Sequence, residues 1–398
     1  MAHSGNFDAE TVLRARVLLL GSEPLTLGER LGAYRVLAEV SPRAYLPKLV
    51  DALFERAVEL RDPGLDVVLY GQAADAARRF GAEVPDRKGR LRRALGGYEH
   101  ALFTAGRRAE GRAVCEESAA AGSYGRLAVV LAEEGCHGEA ADLHARHVAP
   151  GDADVSVWTL IEWAAALDAA GRHEEALEVF ARVVGDAREA AAGDRAPLAS
   201  LVWKLERYAG MLGAAARPAE EAGARRETLT VLARLAASGE PVSWSNIQAT
   251  WVTLLALSGR PDEPAATPQA PLPALGVHPV HGWSPDVREG WFASIPAFER
   301  RVAALRASDD LPGLIVAQRR LTVRRALRWE TAGRRAEESL RPSFDEGVDL
   351  AGRAAADPGA LVRALTDRSM FLLAVKRYGE AHADLVAAAA LRPIVTRT

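Results

Sequence analysis

Cys136, His137, His144 and His147 bring a thiol and three imidazoles together in one short stretch of the chain. Helical spacing sets His144 and His147 on one face with His137 two turns away, which is part of a soft nitrogen and sulfur metal site. A second histidine pair, His278 and His281, lies in a proline-rich stretch with no carboxylate or thiol close by in sequence. Arg320, Arg324 and Arg328 fall at i, i+4 spacing, with Arg319 and Arg325 beside them. Such a stripe suits an acidic peptide or a phosphate backbone, unless it is simply a solvated face. Against these, the chain contains no phosphate-binding Gly-x-x-x-x-Gly-Lys-Ser/Thr loop, no Gly-x-Ser-x-Gly elbow and no His-Glu-x-x-His pair, so the strong catalytic signatures are absent.

Composition narrows the classes further. The 398 residues are 49% hydrophobic and 26% charged with a net charge of −3, which describes a folding chain rather than a disordered one. A sequence pI near 6.4 argues against a whole-surface nucleic-acid footprint and leaves only local basic patches. Of the 50 basic residues all but Lys48, Lys88, Lys204 and Lys376 are arginine, so arginine clusters arise readily. Cys115 and Cys136 are expected to be free thiols in a chain with ample core material. No basic stretch followed by an apolar one opens the sequence, and no apolar run nears the roughly 18 residues of a membrane span. The expectation is a cytoplasmic protein with no membrane partner.

One phrase recurs along the chain: an apolar helix end, Ala-Gly-Arg, then an acidic Glu-Ala start. It is clearest as AGRHEEALEVF at 170–180 and returns in weaker form from Ala105, Glu134, Ala215, Ser258, Ala332 and Val375. Equating Gly106, Gly135, Gly171, Ala216, Gly259, Gly333 and Lys376 gives spacings of 29, 36, 45, 43, 74 and 43 residues, the periods of helical hairpins with one large insertion. Glycine supplies the left-handed residue that closes the first helix, and glutamate in the next first turn complements the helix dipole. A single hairpin cannot bury its apolar stripe alone, so such units stack in arrays. Between Arg260 and Pro285 prolines stand at 261, 264, 268, 271, 273, 279 and 285; neither helix nor central strand can run through. The chain therefore divides into an array over 1–259, a proline-rich linker or loop over 260–290 and a C-terminal helical lobe over 291–398.

Residues 157–188 resemble a tetratricopeptide repeat, with Leu160, Ala164, Leu167, Gly171, Ala176 and Phe180 where that family keeps apolar, small or turning residues. Residues 362–393 match through Leu365, Leu372, Ala381, Leu385, Ala388 and Pro393, with Lys376 in place of the turn glycine. The stretch from Tyr34 is similar to the degenerate repeats of streptomycete-type members. The units at 92–118 and 121–150 depart from the pattern, carrying Glu99 at a small position and Cys115, His144 and His147 at packing positions, which favours a structural role for those histidines over metal binding.

The resemblance implies an all-α fold, a right-handed superhelical solenoid of antiparallel helical hairpins whose first helices line a groove. In that register Trp158, Trp203 and Asn246 point into the groove, where aromatic residues would anchor a peptide. Trp163 and Trp251 fall at core positions, and a register error of one would exchange the two sets. Trp283 and Trp291 could plug the groove from within the chain. The function expected is a non-catalytic protein- or peptide-binding scaffold without cofactor, using Trp158, Trp203, Asn246, Arg320, Arg324 and Arg328. The alternatives are a nucleic-acid-associated regulator acting through the arginine-rich helix, although nucleic acid is not the expected partner, and a metal-binding enzyme on a helical frame.

Overall fold

In the computed structural model the recurring turn phrase is one hydrogen-bonded unit, repeated. The backbone N–H groups of Arg107, Cys136, Arg172, Arg217 and Arg377 reach back five residues to the carbonyls of Leu102, Leu131, Leu167, Leu212 and Leu372 at 2.8–2.9 Å. The residue before each donor is left-handed: Gly106, Gly135 and Gly171 at φ 70°, 79° and 78°, Ala216 at 55° and Lys376 at 64°. This is the Schellman closure, which satisfies carbonyls a helix end leaves over. The arginine after the turn then grips the next helix, as in the pairs Arg107–Glu110, Arg172–Glu175 and Arg217–Glu220. Gly259 breaks the series: it is right-handed at φ −84° and leads into a 3-10 turn, Arg260–Asp262. Because only glycine takes a left-handed backbone without steric cost, Ala216→Gly is expected to raise stability by about 1 kcal/mol. Urea unfolding of the variant would show a higher midpoint; an unchanged midpoint would contradict the strain.

The structure describes residues 8–22, 24–148, 155–242, 248–278, 282–332, 336–354 and 357–392, and among these the ordered elements are helices, with no strand beyond isolated bridges. Asn246, His281, Gly333 and Pro393 lie outside the described residues. No helix among the described residues is long and apolar enough to cross a membrane.

Two compact units divide the chain. The first, Met1–Leu127 with Ser284–Asp286, holds α1 (Ala9–Leu20), α2 (Leu27–Val40), α3 (Pro42–Leu60), α4 (Pro63–Arg78), α5 (Arg87–Thr104) and α6 (Arg108–Ala120), with the start of α7 (Gly125–Glu133). Each of α1 to α5 packs on the next in sequence. Leu46, Val50, Leu53, Ala73, Ala77 and Phe80 are central to its core. The irregular unit read at Glu99 and Cys115 is a polar inset in this packing. Glu99 meets Arg126 at 3.1 Å, and the Cys115 thiol donates to its other oxygen at 2.9 Å. Burial pushes the Glu99 carboxyl above its ordinary range, partly offset by Arg126.

The second unit, Ala128–Trp283 with Val287–Thr398, continues with α8 (His137–His147), α9 (Val157–Ala169), α10 (His173–Ala192), α11 (Leu198–Ala214), α12 (Pro218–Ser238) and α13 (Gln248–Ser258). It resumes from Val287 within α14 (Pro285–Ala293), then α15 (Ile295–Ala307), α16 (Leu311–Ala332), α17 (Ala336–Arg353), α18 (Pro358–Ala374) and α19 (Tyr378–Leu391). Helices α8 to α12 pack in sequence. The stack then continues through α19, which lies on α12, and runs backwards through α18, α17 and α16 to α15. Helix α13 is enclosed by α11, α16 and α18. Its Trp251 is 1% exposed, against Phe371 and Phe344, which themselves stack with centroids 4.6 Å apart.

This division differs from the one expected from the prolines. Residues 291–398 share a unit with 128–283 because α19 returns to α12 and α13 supplies apolar surface to both halves. Helix also begins before residue 291, since Pro285 opens α14 at the first helical position, where proline's missing N–H costs nothing.

Candidate functional site

In the second unit the proline-rich segment lies as a strap against α9 and the C-terminal end of α7. Residues 273–277 of this strap are buried although they have no regular secondary structure. Leu272 donates its backbone N–H to the Glu133 carbonyl at the end of α7, at 2.9 Å. Gly276, at φ 108°, sits so close to α9 that a Cβ added there would lie 2.5 Å from the Ala165 Cβ. At α7's turn the fit is equally close, because a Cβ on Gly135 would meet the Ala266 carbonyl oxygen at 2.3 Å. The Arg260 guanidinium fastens the strap by donating to the Ala165 carbonyl of α9 and to the Leu275 carbonyl of the strap, both at 2.7 Å. Burial holds Arg260 down to about 10, with Arg207 adding to the shift and Asp168 opposing it, so it remains charged near neutrality.

Trp158, half-buried on α9, meets His278 of the strap edge-on with centroids 5.4 Å apart. Trp203 does not face open space as the repeat register suggested: it is 2% exposed, and its indole N–H donates to the Met370 carbonyl of α18 at 3.1 Å. The return of α18 covers it. Trp283 and Trp291 are buried as a perpendicular pair, 6.1 Å apart. They pack at the far end of the strap, where the Trp283 indole donates to the Ala274 carbonyl.

The arginine stripe of α16 is also turned inward. Arg324 is 3% exposed in its side chain and donates to both Glu263 oxygens at 2.7 and 3.0 Å; Arg320 donates to the same carboxylate at 2.7 Å. Arg324 lies 3.6 Å above the Trp291 ring and 4.0 Å above Phe298, and Arg319 pairs with Asp262 and Asp367. Arg328 is exposed. Of the residues read as a docking stripe for an acidic peptide or phosphate, Arg320 and Arg324 are paired within the chain, because Glu263, the residue that follows the 3-10 turn, takes up both cations.

Among the described residues no group of three or more histidine, cysteine or acidic side chains could hold a metal ion. His144 is buried on α8, and the His147 ring nitrogen lies 2.8 Å from the Leu143 carbonyl. Burial holds His144 down to about 4, with His147 adding to the shift, and burial followed by Arg260 does the same to His137. A histidine whose folded value lies below its unfolded 6.5 contributes stability above pH 6.5 that is lost as pH falls toward 4. Replacing His144 by leucine should therefore flatten acid destabilisation by up to about 3 kcal/mol between pH 7 and 4. Urea midpoints across that range check it, and parallel profiles for the two proteins would contradict it.

Beside the strapped surface a cleft of about 280 Å³ opens between α11, α12, α13, α16 and α18, with Trp203, Trp251 and Met370 among its apolar lining. Arg207, Arg225, Arg319, Arg363 and Arg392 line it against two carboxylates, Glu206 and Asp367. Sequence reading singled out none of Arg260, Glu263, Glu206 or Arg392, since no local pattern marks them. In comparisons with known proteins, no family model and no curated protein matches this chain.

Proposed function

We propose that the chain is a tetratricopeptide-type scaffold, a right-handed superhelical array without catalytic activity. It would bind a protein or peptide partner on the inner face of its first helices, where its own strap acts as an internal ligand. One observation carries the reading: α7 and α9 hold an extended, proline-containing segment through backbone carbonyls and close small-residue contacts, the means by which such a face would hold a separate peptide. A tethered segment competes at an effective concentration in the millimolar range, so a partner must displace it or find it loosened. The nucleic-acid alternative draws little support from α16, where Glu263 neutralises Arg320 and Arg324.

The test is a fluorescein-labelled peptide of residues 262–284, followed by anisotropy. It should bind a Gly276→Ala chain, whose own strap is loosened, at least ten-fold more tightly than the wild type. Saturable binding to the variant alone supports an inner face that accepts peptides. Absence of binding to either protein rejects it.

A further inference from the structure

We infer that the cleft bounded by α11, α13 and α18 is a binding site for a small organic oxyanion, a carboxylate or phosphate attached to an apolar or aromatic body. This does not rest on the peptide reading above, because the strap lies on α7 and α9 and the cleft is lined from other helices.

The size comes first. About 280 Å³ stands at the lower edge of the roughly 300–1,000 Å³ usual for small-ligand pockets, which suits a compact metabolite and excludes a folded segment. The apolar side of the lining, Trp203, Trp251, Leu254 and Met370, offers flat surface for a ring or short chain. The polar side is cationic. Five guanidiniums line the cleft; Asp367 matches Arg319 there, and the carboxylates that balance the other four are shared or lie outside it: Glu206 Oε1 alone accepts from Arg225 at 2.7 Å and from Arg392 at 3.3 Å. Arg225 also leans on Glu221, Arg207 on Asp168 and Arg363 on Asp357, none of which lines the cleft.

Unmet hydrogen-bonding capacity collects on the same residues. Trp251 Nε1, Arg207 Nε and Glu206 Oε2 are buried atoms with no hydrogen-bond partner, although burying a polar atom unpaired is costly. Two of the three are donors, and the cations around them repel one another. Arg392 is held below its ordinary value by burial, with Arg225 adding to the shift and Glu206 opposing it. An oxyanion placed among Arg225, Arg363 and Arg392 adds negative charge beside two cations that share one carboxylate oxygen and a third whose partner lies outside the cleft, and it accepts bidentate hydrogen bonds from planar guanidinium groups. A neutral ligand of the same shape supplies neither.

Gly210 provides a clean way to close the site. It is exposed, it lines the cleft from α11, and a Cβ added there meets nothing within 4 Å. Gly210→Phe therefore fills the cleft from a helical position where losing glycine favours the helix. The experiment is calorimetric titration of the full chain with phenylacetate, phenyl phosphate and the neutral phenylacetamide at millimolar concentrations. At least one acid should bind to a single site at least ten-fold more tightly than the amide. Its affinity should fall at least ten-fold in Arg392→Met and vanish in Gly210→Phe, with helicity by circular dichroism unchanged in both. The tighter of the two acids identifies the head group as carboxylate or phosphate. No saturable binding of either acid, equal binding of the amide, or binding that survives Gly210→Phe would overturn the assignment. These outcomes are separate from the anisotropy experiment, which reads a different surface.

Discussion

Glu263→Ala is expected to cost the second unit roughly 3–5 kcal/mol, the usual consequence of removing one partner from a buried ion pair. Glu263 and Arg324 expose only 8% and 3% of their side chains, and Arg320 shares the same carboxylate. Burial alone would push the Glu263 carboxyl up, but the hydrogen bonds donated by Arg324 and Arg320 outweigh it and hold the group below its ordinary value. The stability it contributes is therefore present above the ordinary carboxylate range and is lost as pH falls through the depressed folded value. With the carboxylate gone, Arg324 keeps its place over Trp291 and Phe298 but remains charged and unpaired by Glu263. Cation–π attraction of about 1–2 kcal/mol does not repay that. The double change Glu263→Met with Arg324→Met should recover most of the loss, because an apolar pair of similar volume often replaces a buried ion pair at little cost. Urea unfolding of the three proteins gives the answer, and a loss below about 1 kcal/mol in Glu263→Ala would mean that the pair behaves as if solvated.

The second large effect is expected at Gly276. Its φ of 108° is a backbone state that L residues rarely adopt, and the new methyl carbon would lie 2.5 Å from the Ala165 Cβ of α9. Both partners are already minimal in size, so no side chain can give way, and the strap or the helix must move. Helix α9 is held by α8 and α10 on either side, whereas the strap is held by Arg260, Leu272, Gly276 and Trp283 contacts. The strap should therefore be what lifts. Left-handed strain and overpacking together cost about 3 kcal/mol. Limited proteolysis should cut Gly276→Ala between residues 264 and 282 well before the wild type, with helix content preserved. Equal resistance in the two proteins would contradict the close approach.

What was legible in the sequence is what local chemistry writes there. The hairpin turns could be read because a left-handed closing residue, a following arginine and an acidic first turn act within a few residues of one another. The same logic located Ala216 and Lys376 as stand-ins for glycine. Gly259 belonged to the phrase by composition, yet Pro261 two residues later turned the chain into a 3-10 turn instead. Partners remote in sequence were not legible. Helical spacing put Arg320 and Arg324 on one face but could not show that Glu263, 57 and 61 residues away, would occupy it. The repeat register put Trp203 on a first helix, and nothing near it announced the Met370 carbonyl 167 residues on. Proline content showed that 260–285 could not be helical without showing where it would lie. The groups that hold it are the carbonyls of Ala165 and Leu275, and backbone carbonyls carry no sequence signature.

The most direct measurement is hydrogen–deuterium exchange of the wild-type chain, read by mass spectrometry over residues 271–278. With the strap seated on α7 and α9, the Leu272 and Val277 amides, bonded to the Glu133 and Ala274 carbonyls, should exchange orders of magnitude more slowly than free chain and lose that protection in Gly276→Ala. Exchange of the wild-type segment at the rate of an unstructured peptide would contradict a strap seated on α7 and α9.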